Sequence, residues 1–565
     1  NPCPLSAGLL SVLAKNMHKR KKQLENRTKA RKKLLDFEKT DERPYFLWHL
    51  FFMDVFEQGG FDVMIGNPPY IQLQSMKNEA EILSKAGFDT FTKTGDIYGL
   101  FYEKGYDLLK NSTGVLTYIT SNKWMSAAYG KKLREFFSKE TNPLILIDFS
   151  DAVIFPAAVV FVNIMQLKKE KNRNQLEAVK AKNDFKVNKD DLGVYVDQKK
   201  ITIDDLDINN WTIVDRKDYK IKKQIELIGT PLKNWNVNFF AGIKSGLNEA
   251  FHIDNKMKSS LVKRNSGNLD PIKPLLRGKD IKRYTYTFAE KYILFIPWHF
   301  PLHEENISNA SNEAESQFKA QYPDIYDHLL SYKDELSARN KTETGIRYEW
   351  YSLQRYGANF WREFEKDKIV WIEISDRANY CLDLDGNYLT NSAYFLTGKN
   401  LKYLVVLLNS RLVDFYHFQN TAQIAGGRKR YTKQYVELLP IPELNDVQMK
   451  PFEIIADYFK FINEPNNQNV FEHASNDIIS RYFEDISNMM VYELYFEKHM
   501  KENEIDVLKF VDFEDISLLK SFEEKRNVIQ KEYYKLKEKD NPIRNRILVS
   551  ESRSTIIKRI NETTH

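Results

Sequence analysis

Phe61-Asp62-Val63-Met64-Ile65-Gly66-Asn67-Pro68-Pro69-Tyr70 is the stretch on which the reading of the fold turns. Its first half is a short apolar run of strand type. Pro68 and Pro69 stop that strand abruptly, because proline fixes φ and has no N–H for a neighbouring strand. The strand therefore ends by presenting an amide side chain, two prolines and an aromatic ring. An amine conjugated to an aromatic ring is a poor nucleophile, since its lone pair is delocalised into the ring. If the Asn67 side-chain carbonyl and the Pro68 backbone carbonyl accept its two N–H bonds, the nitrogen is steered toward tetrahedral geometry with its lone pair aimed at an electrophile. Tyr70 then offers a flat face on which an extruded base can stack. Asn67, Pro68, Pro69 and Tyr70 are thus the candidate catalytic residues.

Working outward, Asp96 stands where it can cap a helix running from Tyr98 through Glu103 to about Leu109. Val115 to Ile119 reads as a strand, Tyr129 to Ser138 as a helix and Leu144 to Ile147 as a strand. A last strand, Val159 to Met165, follows the turn at Phe155-Pro156. This α/β rhythm predicts the later strands of a doubly wound sheet. Lys168 to Asn188 is polar and lysine-rich, which places a domain boundary there. Up to Pro442, glycine, aromatic and basic residues intermix with weaker periodicity, predicting mixed α+β structure. Beyond Leu439-Pro440-Ile441-Pro442 the pattern is helical. The expected organisation is a basic helical lead-in over 1–45, a partial Rossmann-like α/β domain over 46–175, an α+β domain over 190–445 and a helical region over 446–565.

At 565 residues and 42% hydrophobic content, the chain is long and apolar enough for two or three cores. Two cysteines, Cys3 and Cys381, and ten scattered histidines give neither a disulfide framework nor metal-ligand spacing, so no metal and a reducing, cytoplasmic setting are expected. No apolar stretch reaches bilayer length and the start lacks signal-peptide character. The missing initiator Met leads us to expect a fragment or processed chain. A net charge of +6 is compatible with a local basic face. The crowd of cations from Lys19 to Lys33 fits a solvated helix face better than a DNA contact.

With Asn67-Pro68-Pro69-Tyr70 in place, the chain resembles S-adenosylmethionine-dependent amino-methyltransferases acting on adenine N6 in DNA. More narrowly, it resembles the gamma-class methyltransferase and specificity parts of fused type IIG restriction-modification enzymes. The likeness includes the lead-in Trp48 to Phe56, Gly95-Asp96-Ile97-Tyr98-Gly99-Leu100-Phe101-Tyr102-Glu103, and Gly114 to Thr120. It extends to Val153 to Val160, where the aromatic residue that packs against a flipped adenine falls on Phe155. In the same sense it implies Asp96 and Phe101 as cofactor-binding residues. Phe240 to Asn248, Pro274 to Ile281, Tyr322 to Arg339, Leu408-Asn409-Ser410 and Leu439 to Pro442 resemble parts of the family's target-recognition domain. There, Arg277, Lys279, Lys282 and Arg283 beside Tyr284 form one basic cluster, and Gly426-Gly427-Arg428-Lys429-Arg430 another. Arginine can read guanine edges bidentately and lysine attracts phosphate, so double-stranded DNA is the expected partner.

Such enzymes cradle the cofactor's methionine with a glycine-rich turn and hold its ribose with an acidic residue. Neither feature precedes Asn67 or follows the recognition domain. We therefore expect the C-terminal portion of a longer enzyme, partnered by its missing N-terminal half; this chain alone is expected to bind the cofactor weakly and to transfer essentially no methyl groups. No nuclease signature accompanies Pro323-Asp324. The open alternatives are a protein-glutamine or ribosomal-RNA methyltransferase, a phage-exclusion adenine methyltransferase without nuclease, and a binding-only DNA specificity module. The large region after Asn188 speaks against the first.

Overall fold

The computed structural model describes residues 46–149, 154, 161–181, 185–187, 189–204, 206, 208, 211, 213, 216–421, 428–467 and 470–564. The basic lead-in from Lys19 to Lys33 lies outside them. Of the described residues, those of 46–120, 136–145 and 164–173 form one compact unit, and those within 121–135, 146–163 and 174–564 form the other.

A six-stranded sheet is built from β1 (Val63–Gly66), β2 (Val115–Ser121), β3 (Asn142–Asp148), β4 (Val162–Lys168), β5 (Leu176–Lys180) and β6 (Ile201–Ile203), in the order β1-β2-β4-β3-β5-β6. The expected α/β architecture is present, with β1 as an edge strand parallel to β2 and Gly66 opposite Tyr118. Helix α1 (Tyr98–Leu108) buries Tyr98, Tyr102 and Gly105, which recur at helical spacing. Tyr118 explains two glycines. A Cβ at Gly105 would lie 2.6 Å from its hydroxyl and 2.5 Å from the Leu116 side chain, and a Cβ at Gly66 would lie 3.1 Å from its ring. β1, which ends just before Asn67, and α1 are thus both drawn against one tyrosine.

Several boundaries differ from expectation. The N-cap of α1 is Ile97, with no side-chain cap bond, so Asp96 does not serve as the cap. The strand expected from Val159 begins at Val162, and 155–160 lie outside the described residues. β5 falls inside the lysine-rich stretch taken as a domain boundary, and the sheet continues to Ile203. Leu176, Ala178 and Val179 supply its buried positions, while the lysines that dominate the composition lie largely around the strand.

The second unit holds two four-stranded sheets made from β7 (Val237–Ala241), β8 (His252–Asp254), β9 (Ile272–Leu276), β10 (Lys291–Leu294), β11 (Lys368–Ile372), β12 (Tyr380–Asp383), β13 (Tyr388–Leu389) and β14 (Ala393–Gly398). Their orders are β13-β9-β10-β8 and β12-β11-β14-β7. β11 is apolar without alternation because both its faces are covered: Ile369 and Trp371 join one core, Val370 the other. At its start Lys368 pairs with Asp383 across the β11–β12 ladder at 2.8 Å, both side chains fully buried. Asp383 also accepts from the backbone N–H groups of Asp385 and Asn387, which supports its charge.

Helices α3 (Leu401–Leu408), α4 (Arg411–Asn420), α5 (Asp446–Asn463), α6 (Asn476–Glu502), α7 (Phe522–Lys537), α8 (Pro542–Arg553) and α9 (Thr555–Thr563) follow; helix α2 (Lys131–Glu140) lies earlier, between β2 and β3. One hydrophobic core runs from Ile221 through Trp371 to Ile560, crossing position 445 where a boundary was drawn from the sequence. Tyr284 stacks on Phe459 at 4.0 Å, and Arg559 makes a bidentate pair with Asp218 at 2.7 and 2.8 Å. Among the described residues no helix is long and apolar enough to cross a membrane.

Candidate functional site

β1 delivers Asn67 to an exposed position directly after its last residue, with Pro68 buried behind it. The Asn67 side chain has no hydrogen-bond partner among the described residues, so its carbonyl is available as an acceptor. Tyr70 is half-buried. Its hydroxyl donates to the Ile119 carbonyl at 3.2 Å, near the end of β2, and its ring meets Tyr98 edge-on at 6.2 Å. Burial pushes the Tyr70 phenol above its usual range, so it stays a neutral donor. The ring is therefore oriented from two sides.

The segment after Tyr70 is laced to the one that carries Asp96: Leu73 N–H donates to Gly95 O at 2.8 Å, and Ile97 N–H to Ile71 O at 2.9 Å. Asp96 and Asn67-Pro68-Pro69-Tyr70, separate in sequence, thus belong to adjoining loops. Phe101 stands on the first turn of α1 with its side chain 40% exposed. Glu103, quoted above only as part of a motif, accepts from the N–H groups of Asp89 and Thr90 and from the Thr90 hydroxyl at 2.7 to 3.0 Å. It fixes the loop ahead of Asp96. A carboxylate one turn into a helix signals nothing of this, since its partners lie 13 and 14 positions earlier. Phe155 lies outside the described residues.

The basic residues divide. Lys279 and Lys282 are exposed. Arg277 is folded back onto Asp280 through two bonds of 2.8 Å. Arg283 of the same cluster is turned inward: it donates to Glu484 at 2.8 Å, Ala378 O at 3.1 Å and Asn409 O at 2.5 Å. Its charge is spent on joining this segment to α6. In the second cluster Arg428 is exposed, but Lys429 is 2% exposed with its ammonium over the Phe418 ring, and Arg430 pairs with Glu373 at 2.9 Å. Gly426 and Gly427 lie outside the described residues. Acids and carbonyls distant in sequence thus already meet much of the charge in both basic clusters.

Residues 7–155 match the family model of the Eco57I restriction-modification methylase, and residues 273–441 match that of the TaqI-like C-terminal specificity domain. The chain is homologous to type II restriction-modification methyltransferases. It is similar to the type II restriction enzyme and methyltransferase RM.Eco57I of Escherichia coli, 25% identical over 471 residues that cover 76% of this chain and 46% of that protein. The type II methyltransferase M.XhoI of Xanthomonas vasicola is 21% identical over 411 residues, covering 70% of each. Among solved structures, the type IIL restriction-modification enzyme MmeI in complex with DNA aligns with 12% identity and a TM-score of 0.46, over 88% of this chain and 57% of that one. The chain spans about half the length of RM.Eco57I. Within this restriction-modification methyltransferase homologue, the methylase match contains Asn67, Pro68, Pro69, Tyr70, Asp96 and Phe101, and the specificity match contains both expected basic clusters.

Proposed function

We propose that the chain carries the catalytic and recognition parts of a site-specific adenine-N6 DNA methyltransferase of a type IIG restriction-modification enzyme, with S-adenosylmethionine as methyl donor and double-stranded DNA as substrate in the cytoplasm. The observation that carries this reading is the Asn67 side chain, without a hydrogen-bond partner among the described residues, held beyond the end of β1 by a buried proline and adjoining an oriented tyrosine.

In this reading Asn67 Oδ1 and the Pro68 carbonyl accept the two N6 hydrogens of an adenine turned out of the duplex, aiming the nitrogen lone pair. Tyr70 stacks on the base, and Phe155 packs against its other side. Two prolines make the acceptor pair rigid, so little reorganisation is needed during transfer. The hydrogen-bonded loops 71–73 and 95–97 fit a cofactor held beside this motif, with Asp96 and the exposed ring of Phe101 as the residues that would hold it. The cofactor, when bound, supplies an electrophilic methyl group. Lys279, Lys282 and Arg428 remain at the surface for DNA phosphates.

The reading is tested by digesting duplex DNA treated with the complete enzyme and labelled S-adenosylmethionine to nucleosides. All label is expected in N6-methyladenine. Label in methylcytosine, or its transfer only to RNA or protein, contradicts the assignment.

A further inference from the structure

The sequence motifs Phe240 to Asn248 and Tyr322 to Arg339 lie outside the methylase match, and the structure brings their ends together. Arg339 donates to Ser245 O at 2.6 Å, and to Trp350 O and Ser352 O at 2.8 Å. Next to Ser245, the Lys244 and Arg355 backbones exchange hydrogen bonds of 3.0 and 2.9 Å. Arg355 in turn donates from Nη1 and Nη2 to Glu343 at 2.9 and 3.2 Å, and Arg347 reaches the same carboxylate at 3.1 Å.

Resting on the reading that the chain recognises DNA, we propose that loop 340–347 and the Lys244–Arg355 backbone pair form a face that grips duplex phosphates through Lys244, Lys341, Arg347 and Arg355. Four observations carry it. Lys244 and Lys341 are exposed, and the side chains of Arg347 and Arg355 are 56% and 52% exposed although both are oriented by Glu343. Two of the four cations, Arg347 and Arg355, thus share one carboxylate. A guanidinium has five N–H groups in a fixed fork, so Glu343 sets the plane of each arginine and leaves outward donors for phosphate oxygens.

Secondly, the loop is stiff, which limits the entropy lost on binding. Gly345 N–H donates to Tyr348 O at 2.7 Å, Arg347 N–H to Glu343 O at 2.8 Å and Ala310 N–H to Ile346 O at 3.0 Å. Gly345 makes the turn at φ +74°, with nothing within 4 Å of where its Cβ would be. Thirdly, the Arg347 guanidinium lies over the Trp298 ring at 5.4 Å, a further restraint on its direction. Fourthly, Arg339 adds positive charge beneath the loop. The acceptors of its hydrogen bonds are all backbone carbonyls, and burial pulls its pKa down only to about 10, so it remains a cation at neutral pH. By contrast, Arg277, Arg283 and Arg430 of the specificity region are each turned to one acidic partner.

The test is anisotropy titration of the 565-residue chain with a labelled duplex across a salt series. Each lost phosphate contact lowers the slope of log affinity against log salt by about one. Lys244→Gln with Lys341→Gln is expected to lower the slope by about two, and Arg347→Gln alone by about one. Lys498→Gln on α6, also exposed, is expected to leave it unchanged. A parent slope retained in both the double lysine variant and Arg347→Gln overturns this face while leaving the DNA reading intact. A parent chain without salt-dependent duplex binding overturns both.

Discussion

At the scale of single residues, Tyr70 shows what its neighbours add to the motif. Its hydroxyl is tied to Ile119 O and its ring to Tyr98, so the ring and the tether can be separated by substitution. Tyr70→Ala is expected to weaken capture of an extruded adenine by about 1 to 3 kcal/mol, the scale of stacking a base on an aromatic ring. Tyr70→Phe keeps the ring and loses one hydrogen bond, a cost of about 1 kcal/mol. Fluorescence of 2-aminopurine at the target position reads both; enhancement by the alanine variant equal to that of the parent would remove Tyr70 as the platform. The motif was legible because its physics is local: a strand, two prolines and a ring within ten residues. Arg283 was not, since its acidic partner Glu484 stands 201 positions further along the chain. Whether a cation is free depends on such distant pairings.

At the scale of elements, α1 rests on its glycine. Gly105→Ala would push a Cβ into Leu116 and the Tyr118 hydroxyl, overpacking that costs about 1 to 3 kcal/mol. Gly99→Ala on the same helix meets nothing within 4 Å and is expected to stabilise it by about 0.5 to 1 kcal/mol. Urea unfolding midpoints compare the two; equal shifts would contradict the packing described. Helix α4 carries a pair of opposed pH dependences. Tyr431 stacks on His417 at 4.2 Å and donates to Asp414 at 2.7 Å. Burial, working against the Tyr431 hydrogen bond and the Arg283 charge, pushes the Asp414 carboxyl up to about 6 from an ordinary 3.8. The unfolded chain then ionises it first, so stability falls as pH rises through that window. Burial pushes His417 down to about 3 from 6.5, so the unfolded chain takes up a proton first and stability falls as pH drops. Between about pH 4 and 6 the two slopes oppose. Asp414→Asn should therefore lose stability on acidification more steeply than the parent, and His417→Gln less steeply; urea midpoints at a series of pH values that run parallel in all three proteins would contradict the arrangement. In the sequence, β1 and β2 were legible from apolar runs ended by turns. β5 was hidden because the lysines around it dominate the composition, although Leu176, Ala178 and Val179 supply a buried side.

At the scale of the whole molecule, the order of parts was legible: a methylase match first and a specificity match after it. The packing was not. The six-stranded sheet runs through the lysine-rich stretch, and a single core joins the specificity region to the helical tail. Composition marks where a chain turns polar, whereas a core is closed by residues hundreds of positions apart. The proposed division of labour puts chemistry at the end of β1 and DNA affinity in the cations beyond residue 240. The measurement that separates the two most directly is single-turnover methyl transfer by the complete enzyme carrying Asn67→Ala, with duplex affinity measured in parallel. Loss of one of two acceptors for the N6 hydrogens is expected to slow transfer by about two to three orders of magnitude, on the scale of removing one such polar group, while DNA affinity stays within a few-fold of the parent. A transfer rate within a few-fold of the parent would contradict the account.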